Sequence, residues 1–505
     1  MCGIFGAVTP GMDAAGIAAL GVFSLQHRGQ ESAGLAVSDG EQLMLYKDLG
    51  LIAQVLDERR LPSLRGSLAI AHCRYSTTGS TIWENAQPTF RMSRGKAIAV
   101  GHNGNLVNTR ELLARLEGGK TRLPATTDTE LLTALLADDP SGDTVEALKR
   151  VLPHVKGAYS LAILDEKRVI GVRDPFGFRP LVLGRLEPAA DDPEGKRSGG
   201  WLISSESAAI EVAGGIVVRD VEPGEIVILE EGKDPVSVRF AEGHEQLCVF
   251  ELIYFGRPDS YMLGRNLYES RRRMGVALAA ESPVDADIVM PVPDTGAPAA
   301  AGFAEGSGLP YREGMVRNRY SGRTFIQPSQ AMRQRGVTVK LSPLREVVAG
   351  KRLIVVDDSI VRGTTTRQIV ALLRKAGATE VHLRISSPPI HHPCFYGIDT
   401  QIETELIAST HSVEEIREFV GADSLSYLSI GGVISALDLP YEKFCFACFD
   451  GRYPVPVPYD TARHKFVLED AEPSGLGFGE PVSAGEAQAI AATHEATHKE
   501  GTAGA

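Results

Sequence analysis

Short apolar runs, each closed by turn-forming residues, recur along the first half of the 505-residue chain. Runs of this kind are typical of buried strands. Residues 127–137 and 144–152 instead space their apolar positions as helices do, and Thr127 with Glu130 resembles a capping box. The pattern predicts two packed sheets with helices outside them. The predicted strands are residues 67–71, 96–101, 159–164, 169–173 and 201–204.

The second half of the chain alternates apolar runs with helical stretches. Alternation of this kind is typical of α/β domains, in which helices cover both faces of a parallel, doubly wound sheet. The strands of this sheet are predicted at residues 288–292, 352–356, 381–386 and 405–408.

Polar segments divide the chain into two domains and a tail. Residues 187–200 read as a polar surface loop, and a junction near 230–245 separates a first domain, 2–235, from a second domain, 245–470. Residues 471–505 are rich in Ala, Gly, His and Glu and lack apolar periodicity, so we expect a disordered tail.

The overall charge and hydropathy exclude some classes of function. A formal net charge of −12 argues against a nucleic-acid or membrane-surface partner. The chain has no apolar run of the roughly 18 residues that a membrane span needs, and its N-terminus does not resemble a secretory signal. We therefore expect a cytoplasmic protein whose six cysteines stay reduced.

An apolar strand that ends in Asp357 and Asp358 is the most specific local signal. The loop that follows contains Gly363 and three threonines, and a helix is predicted to start at about Thr365. Backbone N–H groups and hydroxyls at a helix N-terminus can cradle a phosphate, and paired carboxylates suit ribose hydroxyls and hydrated Mg²⁺. The loop lacks the glycine spacing of a Walker motif. An acidic turn capped by threonines is the plainer alternative.

Residues 318–340 form a basic segment within an acidic protein. Such a segment is either a solvated loop or a lid that closes over a polyanionic substrate and excludes water.

Cys2 directly follows Met1. Removal of Met1 would leave a thiol and a free α-amino group on one residue. An α-amine with a pKa near 8 can act as the base for its own nucleophile. The alternative is a small apolar residue that happens to follow Met1.

Four polar segments follow Cys2 beside apolar strands, at residues 26–32, 72–77, 101–106 and 127–130. Together with Cys2, and in this order, they resemble the N-terminal-nucleophile glutamine amidotransferase domain. The resemblance implies an α+β fold of four layers, αββα. It implies catalysis by Cys2 with Asn103 and Gly104 as oxyanion donors, and glutamine binding by Arg28, Arg74 and Asp128. Cys73 is expected to be a packed thiol.

For the same residues, plainer roles stay open. Arg74 and Asp128 could form an ordinary ion pair, and Asn103 with Gly104 could simply make a turn.

The run from Arg352 to Thr366 resembles the pyrophosphate–ribose motif of phosphoribosyltransferases. The resemblance implies that Asp357 and Asp358 hold the ribose and Mg²⁺. It adds Thr295 as a hydroxyl near Mg²⁺, where the family usually has serine, and it favours the lid at 318–340. The implied 5-phosphate loop consists of Ser359, Ile360, Val361, Arg362, Gly363, Thr364, Thr365 and Thr366.

Four cysteines remain: Cys248, Cys394, Cys445 and Cys448. Four soft ligands suit zinc or an iron–sulfur cluster. A redox pair at Cys445 and Cys448, or isolated buried thiols at the other two positions, are the alternatives.

As a whole, residues 1 to about 470 resemble the amidophosphoribosyltransferase family. The resemblance implies hydrolysis of glutamine at Cys2 and transfer of the ammonia to C1 of phosphoribosylpyrophosphate, the committed step of purine synthesis. It also implies Mg²⁺, a 4Fe–4S cluster on the four cysteines, feedback by purine nucleotides, and a homo-oligomer, either a tetramer or a dimer. Cluster-bearing members commonly carry a propeptide, whereas only Met1 precedes Cys2 here, so either methionine removal alone matures the enzyme or the start codon is assigned differently.

Two other classes are weighed against this interpretation. Another glutamine-dependent amidotransferase, such as an asparagine or glucosamine-phosphate synthase, would not need the Asp357–Asp358 loop. A non-catalytic phosphoribosyl-binding regulator would not need Cys2, Arg74 or Asn103.

Overall fold

The computed structural model describes residues 1–57, 59–76, 78–93, 95–116, 123–188, 199–318, 340–458 and 468. The predicted tail at 471–505, most of the predicted loop at 187–200, and all but the two ends of the predicted lid lie outside the described residues.

Two antiparallel sheets form the first domain. Across the seven-stranded sheet the order is Gly215–Asp220, Val182–Leu186, Gly200–Ser204, Gly3–Val8, Leu68–Arg74, Ser32–Ser38 and Leu43–Leu49. Across the six-stranded sheet it is Val236–Arg239, Glu225–Glu230, Arg168–Arg173, Gly157–Leu164, Lys96–Leu106 and Thr89–Ser93. Because Val236–Arg239 still pairs within this sheet, the first domain extends past residue 235.

Apolar side chains from both sheets interdigitate, among them Ile4, Ile70, Val169 and Ile203. Helices cover the two outer faces and bury separate apolar clusters there. The predicted four-layer αββα architecture is therefore confirmed. The helices outside the first sheet are Ala14–Ser24, Ile52–Val55 and Ser207–Val212, and those outside the second are Thr109–Arg115, Asp128–Ala137 and Thr144–Val151.

Local capping explains where these helices begin. The Thr127 hydroxyl accepts a hydrogen bond from the Glu130 N–H at 3.2 Å, and Asp143 accepts from the N–H groups of Val145 and Glu146. Each cap satisfies backbone donors that lack partners in the first turn. The first domain also contains short 3₁₀ turns at Leu61–Ser63 and Leu152–His154.

The second domain is built on a parallel sheet in the order Ile288–Pro291, Arg352–Asp357, Glu380–Ile385 and Ser424–Tyr427. Apolar clusters on both faces confirm the predicted doubly wound α/β domain. Its helices are Leu267–Glu281, Ala297–Ser307, Arg345–Val348, Thr364–Lys375, Ile407–Thr410, Val413–Val420, Ile430–Leu437 and Ala447–Asp450, with a π-helical turn at Glu251–Phe255 and 3₁₀ turns at Glu403–Glu405 and Tyr441–Lys443. Short strand pairs join Tyr261–Met262 to Arg265–Asn266, and Met315–Arg317 to Leu341–Pro343.

The strand predicted at residues 405–408 is wrong. That stretch contains the end of a 3₁₀ turn and the start of the helix Ile407–Thr410, and the fourth strand is Ser424–Tyr427. Leu406 and Ile407 are apolar because they pack into the cores. A short buried run does not by itself distinguish a strand from a turn of helix.

A buried group of four charges joins the two domains. Glu251 of the second domain accepts from Arg28 Nη2 at 2.6 Å and from Arg179 Nη1 at 3.3 Å, and Arg28 Nε donates to Glu206 at 2.5 Å. All four side chains are fully buried. Each charge therefore depends on its partners to offset the loss of water.

None of the helices in the described ranges combines the length and the apolar character that crossing a bilayer requires.

Substituting Glu251→Ala should lower the free energy of unfolding by about 3–5 kcal/mol, because two arginines would stay buried without their shared carboxylate. The matched control is Glu269→Ala, whose exposed pairs with Arg272 and Arg273 are worth at most about 1 kcal/mol. Chemical unfolding of both variants measures the difference. A loss no larger than that of the control would contradict the stabilising role of this network.

Candidate functional site

Cys2 lies just before the central strand Gly3–Val8 of the first sheet. Its thiol donates to the Tyr75 carbonyl at 3.5 Å, and its backbone N–H donates to Asn103 Oδ1 at 3.2 Å. The side chain is 5% exposed. The thiol is therefore held at one place in a site that largely excludes water.

Burial sets the protonation of this site. It raises the pKa of the Cys2 thiol above its ordinary value, while the N-terminal charge and Arg74 oppose that shift. Burial also lowers the pKa of the Met1 α-amino group to about 6. The Met1 α-amine is thus mostly uncharged near pH 7, the form that can accept a proton.

Asn103 and Gly104 lie near the end of the long strand Lys96–Leu106. While Asn103 Oδ1 accepts from Cys2, its Nδ2 is buried and has no hydrogen-bond partner. An unpartnered buried donor is costly, and it suits an oxygen that becomes negative during a reaction. Gly104 has φ +149°, and a Cβ there would lie 2.0 Å from the Ala158 carbonyl oxygen. Only glycine fits this position.

Arg74 and Asp128 flank the same strand end. Arg74 Nη2 donates to the Thr78 carbonyl at 3.0 Å, and the guanidinium lies 3.7 Å from Glu31. Burial favours the neutral form of Asp128, but His102 and the N–H of Leu106 hold its pKa below the ordinary value. Both residues are buried and carry opposite charges, and their part in glutamine binding stays a prediction.

Arg28 has a different setting. Its guanidinium is bonded to Glu206 and Glu251 at the domain boundary, so its predicted part in glutamine binding stays a prediction. Cys73 is packed in the core beneath the helices, donates to the Leu25 carbonyl at 3.3 Å, and has a pKa raised to about 12 by burial.

Sequence reasoning missed Asn105. Its Oδ1 accepts from the Thr78 hydroxyl at 2.6 Å, and its Nδ2 donates to the Phe395 carbonyl of the second domain at 3.0 Å. The residue lies inside the polar segment 101–106. Its partners are distant in the chain, so the local sequence pattern does not reveal them.

The second site is the loop after the strand Arg352–Asp357, at the carboxyl edge of the parallel sheet. Ligands bind at this edge in open α/β sheets. Gly363, with φ +72°, caps the helix Thr364–Lys375, so the helix N-terminus faces the loop. The predicted phosphate loop thus ends in free first-turn amides, the usual surroundings of a bound phosphate.

Like charges are concentrated at this edge. Burial, and then the Asp358 charge, raise the pKa of Asp357 well above its ordinary value. Burial also raises the pKa of Asp358, although hydrogen bonds from Thr295 and Ser359 oppose the shift. Thr295 therefore hydrogen-bonds Asp358, the neighbour of Asp357 in the chain, and all three carry oxygen ligands of the kind that hydrated Mg²⁺ prefers.

The predicted lid begins and ends at the same place. The Asn318 N–H donates to the Lys340 carbonyl at 2.8 Å, beyond the strand pair Met315–Arg317 and Leu341–Pro343.

The remaining four cysteines come together although they are far apart in sequence. The parallel strands Leu247–Cys248 and Phe444–Cys445 place Cys248 opposite Cys445. Burial raises the pKa of Cys248 to about 11, and the neighbouring Cys394 adds to it. Burial raises the pKa of Cys448 well above its ordinary value, with further contributions from the other three thiols. All six cysteines of the chain are buried and unpaired.

Two family models match the chain. Residues 72–191 match the glutamine amidotransferase domain, and residues 268–386 match the phosphoribosyl transferase domain. The amidophosphoribosyltransferase of Mycobacterium tuberculosis strain H37Rv is 50% identical over 481 residues, which cover 93% of this chain and 89% of the relative. That of Bacillus subtilis strain 168 is 46% identical over 467 residues, with coverages of 91% and 95%.

Solved structures agree with this. The allosteric regulatory enzyme of purine biosynthesis gives a TM-score of 0.84 at 45% identity and covers 91% of this chain and 97% of its own. Glutamine phosphoribosylpyrophosphate amidotransferase from Bacillus subtilis, complexed with ADP and GMP, gives 0.83 at 45% identity, with coverages of 91% and 98%.

Substituting Asp358→Asn should stabilise the unliganded protein at pH 7, because burial raises the pKa of the Asp358 carboxyl and makes its ionised form costly in the folded state. A carboxyl whose pKa is raised by folding destabilises the folded state once the pH exceeds its ordinary pKa. The gain should therefore shrink towards pH 4, where both carboxyls keep their protons. Thermal unfolding at the two pH values measures it.

The control for this prediction is Asp285→Asn, whose side chain is 87% exposed and pairs with Arg352. This substitution should change the free energy of unfolding by no more than about 0.5 kcal/mol. An Asp358→Asn protein that is less stable than wild type at pH 7 would contradict the repulsion inferred for the pair.

Proposed function

Because the chain belongs to the amidophosphoribosyltransferase family, enzymes of purine biosynthesis, we propose that Cys2 is the nucleophile that frees ammonia from glutamine and that the Asp357–Asp358 loop holds the phosphoribosylpyrophosphate that receives it. The family and activity predicted from the sequence are confirmed. The observation that carries the residue assignment is the buried Cys2 thiol beside the unpartnered Asn103 Nδ2.

The glutamine reaction follows from these contacts. The α-amine of Cys2, freed by cleavage of the bond to Met1, takes the thiol proton, and Sγ attacks the amide carbon of glutamine. The negative oxygen of the tetrahedral intermediate is stabilised by Asn103 Nδ2 and the Gly104 N–H. As the intermediate collapses, the Cys2 α-ammonium returns its proton to the leaving nitrogen, the C–N bond breaks, and ammonia departs from a γ-glutamyl thioester. Water then hydrolyses the thioester to glutamate and restores the Cys2 thiol.

Charge pairing orients the substrate. The Arg74 guanidinium matches the α-carboxylate of glutamine, and the buried Asp128 carboxylate matches its α-ammonium. The lowered pKa of Asp128 supports this role, because the group stays ionised although it is buried.

In the second reaction, ammonia attacks C1 of phosphoribosylpyrophosphate, the C1–O bond breaks, and pyrophosphate leaves. Residues 359–366 bind the 5-phosphate, and Asp357, Asp358 and Thr295 hold the ribose and hydrated Mg²⁺. Bound Mg²⁺ supplies positive charge for the leaving pyrophosphate. The raised pKa of Asp357 supports a cation there, because a bound cation relieves the repulsion between the two carboxylates.

Ammonia must pass between the two sites without being protonated. Beside the buried charges, part of the domain boundary is apolar: Val107, Ala158 and Phe178 of the first domain share one buried cluster with Val249 and Tyr396 of the second. An apolar contact of this kind supports direct transfer of ammonia between the sites. Closure of the predicted lid at 318–340 would complete the dry path.

Four buried thiols suit an iron–sulfur cluster, which the family resemblance implies, and zinc is the alternative. In the described part of the chain, no group of three or more His, Cys, Asp or Glu side chains is arranged to hold a metal ion. The four thiols nevertheless share one buried region and shift one another's pKa. Four soft thiolate ligands in one region are the set that such a cluster requires. Cys248, Cys394, Cys445 and Cys448 would hold it.

Regulation and assembly extend the proposal. A relative of 45% identity was solved with ADP and GMP, which supports feedback by purine nucleotides. Exposed apolar side chains support a homo-oligomer, a tetramer or dimer: Leu20 and Phe23 on one helix, and Ile216 and Val218 on an edge strand. A cytoplasmic location fits both the reduced cysteines and the substrates.

The two rival classes are not retained. Relatives named amidophosphoribosyltransferase match 93% of this chain, so neither a different glutamine-dependent enzyme nor a non-catalytic regulator accounts for both domains.

Substituting Cys2→Ala should abolish glutamine-dependent synthesis of phosphoribosylamine, by at least about 10³-fold. Synthesis from excess ammonium salt should stay within about threefold of wild type, because the second site is unchanged. Cys73→Ala, a buried thiol outside the site, should keep most of both activities. Loss of the ammonia-dependent activity in folded Cys2→Ala protein would contradict the assignment of two separate sites.

Protein purified without oxygen should be brown, with a broad absorption band in the visible blue. Cys448→Ser should lose the band and its iron, whereas Cys73→Ser should keep both. A colourless protein that contains zinc would overturn the cluster and leave the four thiols as a zinc site.

A further inference from the structure

A short segment of the second domain reaches the glutamine site of the first. Residues 395–397, the crossing segment, contact the end of the strand that carries Asn103 and Gly104. They directly follow Cys394, one of the four clustered cysteines. Nothing in the proposed chemistry uses them.

Gly397 packs directly against Gly104. A Cβ at position 397 would lie 3.1 Å from both Cα and C of Gly104, and Gly397 has φ +114°, a conformation that favours glycine. The backbone of the second domain is therefore the outer wall of the oxyanion donor.

Phe395 is connected to the glutamine site by a second set of contacts, a chain of hydrogen bonds. Its carbonyl accepts from Asn105 Nδ2 at 3.0 Å, while Asn105 Oδ1 accepts from the Thr78 hydroxyl. The Thr78 carbonyl in turn accepts from Arg74. This chain of hydrogen bonds links the crossing segment to the residue that would bind the glutamine carboxylate.

The crossing segment is itself held firmly. Arg179 Nε and Nη2 donate to the Tyr396 carbonyl at 2.9 and 2.6 Å, and the Tyr396 ring stacks on Phe178 with centroids 4.4 Å apart. The Tyr396 hydroxyl donates to the Val455 carbonyl at 2.5 Å. A segment fixed from both domains can hold its neighbours in place.

We propose that residues 395–397 are positioning residues for glutamine hydrolysis: Gly397 sets the Gly104 N–H, and the Phe395 carbonyl sets Asn105 and, through Thr78, Arg74. The first domain alone then lacks one wall of its own site. The inference rests on the proposed function, because it requires Cys2 to hydrolyse glutamine.

The test is Gly397→Ala, with Gly308→Ala as the matched control. Gly308 also has a positive φ, +72°, but a Cβ there meets nothing within 4 Å, so it reproduces the backbone strain without the contact. For Gly397→Ala, kcat for glutamine hydrolysis should fall about 10-fold or more while KM changes less than about threefold, because a displaced oxyanion donor is felt in the transition state. Ammonia-dependent synthesis should be unchanged in both variants.

Asn105→Ala tests the hydrogen-bond chain from Phe395 to Arg74. Its result does not depend on whether the Gly397→Ala protein folds. It should raise KM for glutamine about 10-fold, because Arg74 would lose its support, and it should spare ammonia-dependent synthesis. Asn108→Ala, whose side chain bonds the His154 carbonyl instead, should behave as wild type.

Equal glutaminase activity in Gly397→Ala and Gly308→Ala, or an equal loss of both reactions in Gly397→Ala, would overturn the positioning role. Wild-type protein that makes phosphoribosylamine from ammonia but cannot hydrolyse glutamine would instead overturn the proposed function, and this inference with it.

Discussion

The shared carboxylate of Glu251, buried between Arg28 and Arg179, is the interaction on which the rest of the structure depends. It fixes the second domain against the first, and its partner Arg179 also holds the Tyr396 carbonyl. Because Glu251 follows Cys248 by three residues, the same segment carries the ion pair and one of the clustered thiols. The contact between the domains, the crossing segment and the cysteine region are therefore linked through the same few residues.

Both sites are built from groups that are unsatisfied without substrate. Asn103 keeps a buried donor without an acceptor, and Asp357 with Asp358 hold two acids where burial favours neither charge. Such groups cost stability in the free protein, and a ligand of matching charge removes that cost. Preorganisation in this sense explains why Asn103 and the Asp357–Asp358 pair carry this cost at the two predicted sites.

The sequence was informative where the signal is local. The strand that ends in Asp357 and the helix capped by Thr127 could be predicted, since their determinants lie within a few residues. The stretch 405–408 could not, because a short apolar run fits a strand or a helical turn equally well. The partners of Arg28 were also out of reach: Glu206 and Glu251 lie 178 and 223 residues away, and the contact of Gly397 with Gly104 is just as remote in sequence.

The pairing of Leu247–Cys248 with Phe444–Cys445 has a consequence for the newborn chain. These strands come from the two ends of the second domain, so that domain cannot close until residue 448 has left the ribosome. The first domain, complete by Arg239, folds earlier, since domains generally fold in order of synthesis. The second-domain backbone that contacts Gly104 therefore reaches the first domain last. An unfinished polypeptide would consequently lack one wall of its first site until the second domain has closed.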